Sequence, residues 1–64
     1  MDISVDFHGT LVIANLHSDE AVDWWDENVA QGIRWGAIGR VVEPRFIEAI
    51  VMGAREAGLI VEGT

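Results

Sequence analysis

Between Asp19 and Glu27 five of nine residues are carboxylates, and no Lys or Arg stands among them. On a helix, at about 100° per residue, Asp19, Glu20, Asp23, Asp26 and Glu27 fall within one arc of roughly 120°. Ala21, Val22, Trp25 and Val29 take the opposite arc, and Trp24 stands on the border. Residues 18–29 therefore read as an amphipathic helix that lays its apolar side on a core and turns a negative ridge outward. Ser18 has the side chain of an N-cap. Asp19 and Glu20 lie in the first turn, where the helix dipole favours negative charge. Asp23, Asp26 and Glu27 have no such account. Like charges at i,i+3 and i,i+4 cost roughly a few tenths of a kcal/mol each, and no basic neighbour offsets them. Trp24 and Trp25 cannot both face inward. Trp25 is the core residue, and Trp24 is left at the edge of the acidic face.

The rest of the chain supplies that core. Ile3-Ser4-Val5-Asp6-Phe7 alternates apolar and polar, the pattern of a half-buried strand. His8-Gly9-Thr10 breaks it, with Gly9 able to take a positive φ. Leu11-Val12-Ile13-Ala14-Asn15-Leu16 is rich in β-branched residues and reads as a more buried strand, paired with the first as a hairpin. The acidic helix is expected to run to about Ala30, with Gly32 as its stop. Arg34-Trp35-Gly36 is a connection of no assigned type. Residues 37–42 read as a third strand in which Gly39 marks a bulge or a close approach. At Glu43-Pro44-Arg45 the strand gives way to a second helix. Pro44 suits the first helical position and forces its predecessor to be extended. Phe46, Ile47, Ile50, Val51 and Ala54 make its inward stripe, with Glu48 and Arg55 outside. Gly58 is the expected C-cap, and Leu59-Ile60-Val61 a short last strand. The order is β-β-α-β-α-β, an α+β fold in a single small domain over residues 1–64. Right-handed crossovers put both helices on one face of the sheet and leave the other face half-covered at best.

The net charge of −7 is the charge of one half of the chain. Residues 1–33 hold seven acids and no Lys or Arg, whereas residues 34–64 hold four acids and four Arg. Direct binding to nucleic acid is disfavoured, because phosphates would meet a like-signed field. A basic protein surface is favoured as partner. No apolar run approaches the ~20 residues that span a bilayer, and Met1-Asp2-Ile3 lacks the basic start of a signal peptide. A cytoplasmic protein with no membrane partner is expected. The absence of Cys removes disulfides and thiolate metal sites. A chain of this length buries only about 60% of its unfolded surface. Half its residues are hydrophobic, so some apolar surface stays outside, and a homodimer is one expected outcome.

Chemistry that needs a cleft finds little here. There is no Ser or Cys beside a base, no Gly-rich phosphate loop and no pair of carboxylates in an evident pocket, so no catalytic residue and no cofactor is assigned. His8 and His17 with Asp6 and Asp19 match no standard zinc spacing, and no metal site is assigned. Hairpin and cap roles suit them better, with His8 donating a hydrogen bond across the turn.

The whole chain has one resemblance. His8-Gly9 precedes a β-branched strand, and a Trp-bearing acidic helix follows. Then come Trp35-Gly36, Val41-Val42-Glu43-Pro44-Arg45-Phe46 and finally Gly58-Leu59. This layout resembles a group of small acidic proteins encoded in bacteriophages and mobile elements of proteobacteria. It covers nearly the full length, through short and mostly structural motifs. The resemblance implies a bacterial host cell, and the group carries no enzymatic assignment. In that genetic context small acidic proteins often inhibit host defences such as CRISPR–Cas. The expected function is thus non-enzymatic inhibition of an anti-CRISPR type. Asp19, Glu20, Asp23, Asp26 and Glu27 would imitate nucleic-acid phosphates on a basic groove of a CRISPR–Cas effector subunit, and Trp24 would anchor the contact. The alternative is a small phage structural or assembly protein, or a homo-oligomeric adaptor, with no nucleic-acid mimicry. An antitoxin-like neutraliser would share the electrostatic logic.

Overall fold

The computed structural model describes residues 1–29 and 33–63. Strands β1 (Ile3–His8) and β2 (Leu11–Leu16) are followed by helix α1 (Asp19–Asn28), strands β3 (Ile33–Trp35) and β4 (Gly39–Val42), helix α2 (Pro44–Glu56) and strand β5 (Val61–Glu62). The strands form one sheet in the order β3-β4-β2-β1-β5. Every neighbouring pair is antiparallel except β1 with β5. The class is α+β. The order is β-β-α-β-β-α-β, one strand more than the hydrophobic pattern gives. The added strand is Ile33–Trp35, too short to display a period.

The β1–β2 hairpin has a two-residue loop. Gly9 takes φ 65° there and Thr10 stays negative, the signs of a type II′ turn that matches the twist of paired strands. Gly39 opens β4 opposite Trp35. A Cβ at Gly39 would run into the Trp35 carbonyl oxygen, so the glycine marks a close approach of two backbones. The third strand is accordingly shorter than expected, because residues 36–38 make the β3–β4 turn.

Helix α1 links β2 to β3, parallel strands with β4 between them. Helix α2 links β4 to β5, also parallel, passing β2 and β1. A half-turn about the sheet normal gives the two crossovers the same sense, so a common right hand places both helices on one face. That face carries Ile3 and Val5 of β1, Val12, Ala14 and Leu16 of β2, Val42 of β4 and Val61 of β5. They form one core with Ala21 and Trp25 of α1 and Ile47, Val51 and Ala54 of α2. Val22, Trp24, Val29, Ile50 and Leu59 pack at its edge.

Both helix ends follow from local chemistry. Ser18 is the N-cap of α1, its hydroxyl accepting the Ala21 amide at 3.1 Å. The helix ends at Asn28, whose side chain donates to the Trp24 carbonyl at 2.9 Å. Ala30 and Gly32, the expected end and stop, lie outside the described residues. Pro44 holds the first position of α2. At its far end Gly58 takes φ 90°. The Gly58 amide reaches Arg55 O and the Leu59 amide reaches Ala54 O, each at 3.0 Å, the pair of bonds that defines a Schellman stop. The last strand is Val61–Glu62, two residues that run parallel to Ile3 and Ser4.

Candidate partner-binding surface

Helix α1 is held at its start by the first residues of the chain. The Asp2 carboxylate accepts the Ser18 hydroxyl at 2.6 Å through Oδ1 and the Ile60 amide at 2.8 Å through Oδ2. Its backbone carbonyl takes the His17 amide at 2.7 Å. One residue thus ties together the cap of α1, the start of β1 and the approach to β5. The Ile60 amide first, and then the Ser18 hydroxyl, hold the Asp2 carboxyl below the usual carboxylate range.

From that anchored start, Asp19, Glu20, Asp23, Asp26 and Glu27 are all exposed. None of them makes an ion pair or a side-chain hydrogen bond among the described residues. Arg45 pairs with Glu43 at 2.9 Å on the surface and lies 4.7 Å over the Phe46 ring. The inward side of α1 is as its wheel implies. Ala21 and Trp25 are buried, and Val22 and Val29 are partly buried.

Trp24 sits on the boundary, partly buried. Its neighbour is α2. An atom added at Gly53 as a Cβ would lie 3.3 Å from the Trp24 ring. Gly53 thus lets the ring approach the second helix closely. Trp24, Asn28 and Val29 of the α1 end and Phe46, Ile50 and Gly53 of α2 line a groove of about 360 Å³. The acidic ridge therefore runs beside an apolar cleft between the helices, with Trp24 in its wall. A second groove, about 440 Å³, lies on the other side of α2 between Phe7 and Met52, with Glu48 and Arg55 also in its lining. Neither groove brings a nucleophile to a base.

The histidines stand apart. His17 Nε2 is hydrogen-bonded to Ser4 Oγ at 2.8 Å, and Asp6 accepts the Asn15 amide at 3.0 Å. Asp19 belongs to the first turn of α1. The His8 side chain is exposed and makes no hydrogen bond across the turn. Among the described residues no three His, Cys, Asp or Glu side chains form a group that could hold a metal ion. Among the described residues no helix is long and apolar enough to cross a membrane.

Three features of this surface escape a reading of the sequence. Asp2 counts only as one charge until Ile60, 58 residues away, is placed beside it. Phe46 and Ile50 belong to the inward stripe of α2, yet both are only partly buried because they face the gap between helices. Arg40, a charged residue in a strand, is buried at 5% exposure, its Nη1 donating to the Gly39 carbonyl at 2.9 Å. The chain matches no family model, no curated protein and no solved structure.

Proposed function

We propose that this chain is a non-enzymatic inhibitor that acts by stoichiometric binding. Helix α1 docks on a basic, nucleic-acid-gripping surface of another protein. The observation that carries this reading is the ridge of five exposed carboxylates with no internal partner. Acids at i, i+3, i+4 and i+7 stand about 5–6 Å apart along a helix, a spacing comparable to that of phosphates along a strand. Arg and Lys placed to grip phosphates would bind carboxylates by the same charge-assisted bonds. Trp24 adds an apolar anchor at the rim, beside the cleft with Phe46 and Ile50. Charge on one helix face also speeds encounter with a basic partner.

The genetic context that the resemblance implies suggests a defence effector of a bacterial host as the class of target, and a CRISPR–Cas effector subunit in the cytoplasm is the most specific form of this proposal. The test is displacement of DNA from such an effector complex, read by mobility shift. The wild-type chain is expected to release DNA. The variant Asp23→Arg/Asp26→Arg/Glu27→Arg is expected to lose at least about 30-fold in potency while its far-UV spectrum stays native. Undiminished displacement by that variant would overturn the reading.

A second reading, a small structural or assembly protein, draws on other residues. Ile33 and Trp35 are 74% and 66% exposed on the side of the sheet that no helix covers.

A further inference from the structure

Strand β5 covers only part of its neighbour. β1 has six residues, and β5 pairs with the first two, Ile3 and Ser4. Gly63, at φ 92°, then comes so close to β1 that a Cβ there would meet the Val5 carbonyl oxygen. Among the described residues none pairs with Asp6, Phe7 or His8 on that side. The register tells which backbone groups are left. His8 and Leu11 close the two-residue hairpin as a hydrogen-bonded pair, so by alternation Ser4 and Asp6 also bond to β2. Ile3, Val5 and Phe7 therefore turn their N–H and C=O groups to the outer edge, in keeping with the 3.1 Å bond from the Ile3 amide to the Ile60 carbonyl. The backbone of Phe7 has no partner there among the described residues.

This open length of edge runs along the second groove. Alternation puts Phe7 on the helix-bearing face with Ile3 and Val5, and its ring, 57% exposed, forms one wall. Ile47, Val51 and Met52 of α2 form the other, with Met52 also 57% exposed. A strand added beside Phe7 would drop every second side chain into this apolar slot of about 440 Å³. Its margins carry several acids. Asp6 of β1 and Glu62 of β5 are exposed on the opposite face of the sheet, and Glu48 is exposed at the rim on α2. Arg55, also at the rim, donates to the Val61 carbonyl at 3.3 Å.

We infer that the free edge of β1 and this groove together take an extended, basic segment of another protein as an added strand. The residue opposite Phe7 is large and apolar and enters the groove between Phe7 and Met52. The residue opposite Asp6 is a lysine or arginine, which makes an opposite-charge pair across the strands. Main-chain bonds to Phe7 hold the segment, while the groove and the carboxylates select it. A chain of net charge −7 attracts such a segment and repels a second copy of itself. Neither the acidic ridge of α1 nor the groove beside Trp24 takes part.

Titration of the isotope-labelled chain with an eight-residue peptide that alternates lysine with leucine, followed by NMR, tests this. The amide signals of Phe7, His8 and Met52 should shift saturably, with a Kd below about 1 mM. Exchange of the Phe7 amide with solvent should slow. Two further peptides are N-methylated on alternate amides, one at every leucine and the other at every lysine. An added strand turns one set of amides to β1 and the other to solvent. One of these peptides should therefore bind as before and the other at least about 10-fold more weakly, the effect of a lost hydrogen bond. A peptide held on the acidic ridge by charge alone would feel both methylations alike. On the protein, Phe7→Ser/Met52→Ser should weaken binding by about 10-fold with an unchanged far-UV spectrum, since both side chains are exposed. Asp6→Asn should weaken it by about 2- to 5-fold. Equal binding of the two methylated peptides, or no shift at Phe7 and Met52, would overturn the inference. So would full affinity in Phe7→Ser/Met52→Ser.

Discussion

Ser18 caps helix α1 while its own hydroxyl is held by Asp2 at 2.6 Å. The hydroxyl proton goes to the carboxylate and the oxygen lone pair to the Ala21 amide, so each partner fixes the orientation the other needs. A helix whose outer face is pure negative charge is thereby started by the one carboxylate in its neighbourhood that has partners. Along α1 the acids that meet solvent are left unpaired, while the carboxylate that organises the start of the helix is bonded twice.

This pairing makes stability depend on pH in a defined direction. The Ile60 amide and the Ser18 hydroxyl favour the charged form of Asp2 and lower its pKa in the folded chain. Its contribution is then complete above the unfolded value of about 3.9 and is lost as pH falls toward the lower folded value. The stability difference between wild type and Asp2→Asn, measured by urea unfolding, should be greatest near neutral pH and should shrink between about pH 5 and pH 3. Ser18→Ala should cost about 1 kcal/mol and should be non-additive with Asp2→Asn. A difference independent of pH, or strict additivity, would contradict the coupling.

The two adjacent tryptophans should differ sharply. Trp25 is 3% exposed in the core. Trp25→Ala removes an aromatic that costs about 3–5 kcal/mol, close to the whole stability of so small a domain. That variant should be largely unfolded by circular dichroism at room temperature. Trp24→Ala, emptying one wall of an open groove, should cost about 1–2 kcal/mol and stay folded. Equal losses would show that the edge position of Trp24 is misassigned.

Gly39→Ala places a methyl group against the Trp35 carbonyl. The backbone must part there, at a cost of about 1–3 kcal/mol. A fall in Tm of about 4–8 °C per kcal/mol is expected for a domain of this size. An unchanged melting curve would mean that the β3–β4 turn opens freely.

Arg40 is buried without an ion pair among the described residues, and Arg34 lies directly across from it on β3. Burying an unpaired cation is costly, and apolar replacements of similar volume are commonly neutral or stabilising. Arg40→Met should match or exceed wild-type stability in urea, whereas Arg40→Ala should lose about 2 kcal/mol of packing. A loss above about 1 kcal/mol in Arg40→Met would show that the guanidinium itself holds the site together.

Most of the framework was legible because it is written in local patterns. The alternation of Ile3, Val5 and Phe7, the Gly9 turn, the Ser18 cap, the wheel around Trp25 and the Pro44 start all involve neighbours within a few residues. The acidic face was legible for the same reason. Strand β3 was not, since Ile33–Trp35 owes its conformation to hydrogen bonding with β4 and not to its own composition. The role of Asp2 was not, because its partners are distant in the chain. The wall that Phe46 and Ile50 make with Trp24 was hidden too. A hydrophobic stripe says which residues face inward, but not where two helices leave a gap.

The placement of β5 beside β1 carries a consequence for how the chain reaches its fold. Ile3 pairs with Val61, and Asp2 closes on Ile60 across 58 positions. A contact of that span forms late, after shorter loops have closed. Until then β1 presents a free edge along Ile3 and Val5, the kind of template on which unfinished chains stick together. Throughout that interval each chain already carries its full negative charge, since charge needs no folding. Repulsion between chains of net charge −7 disfavours such sticking.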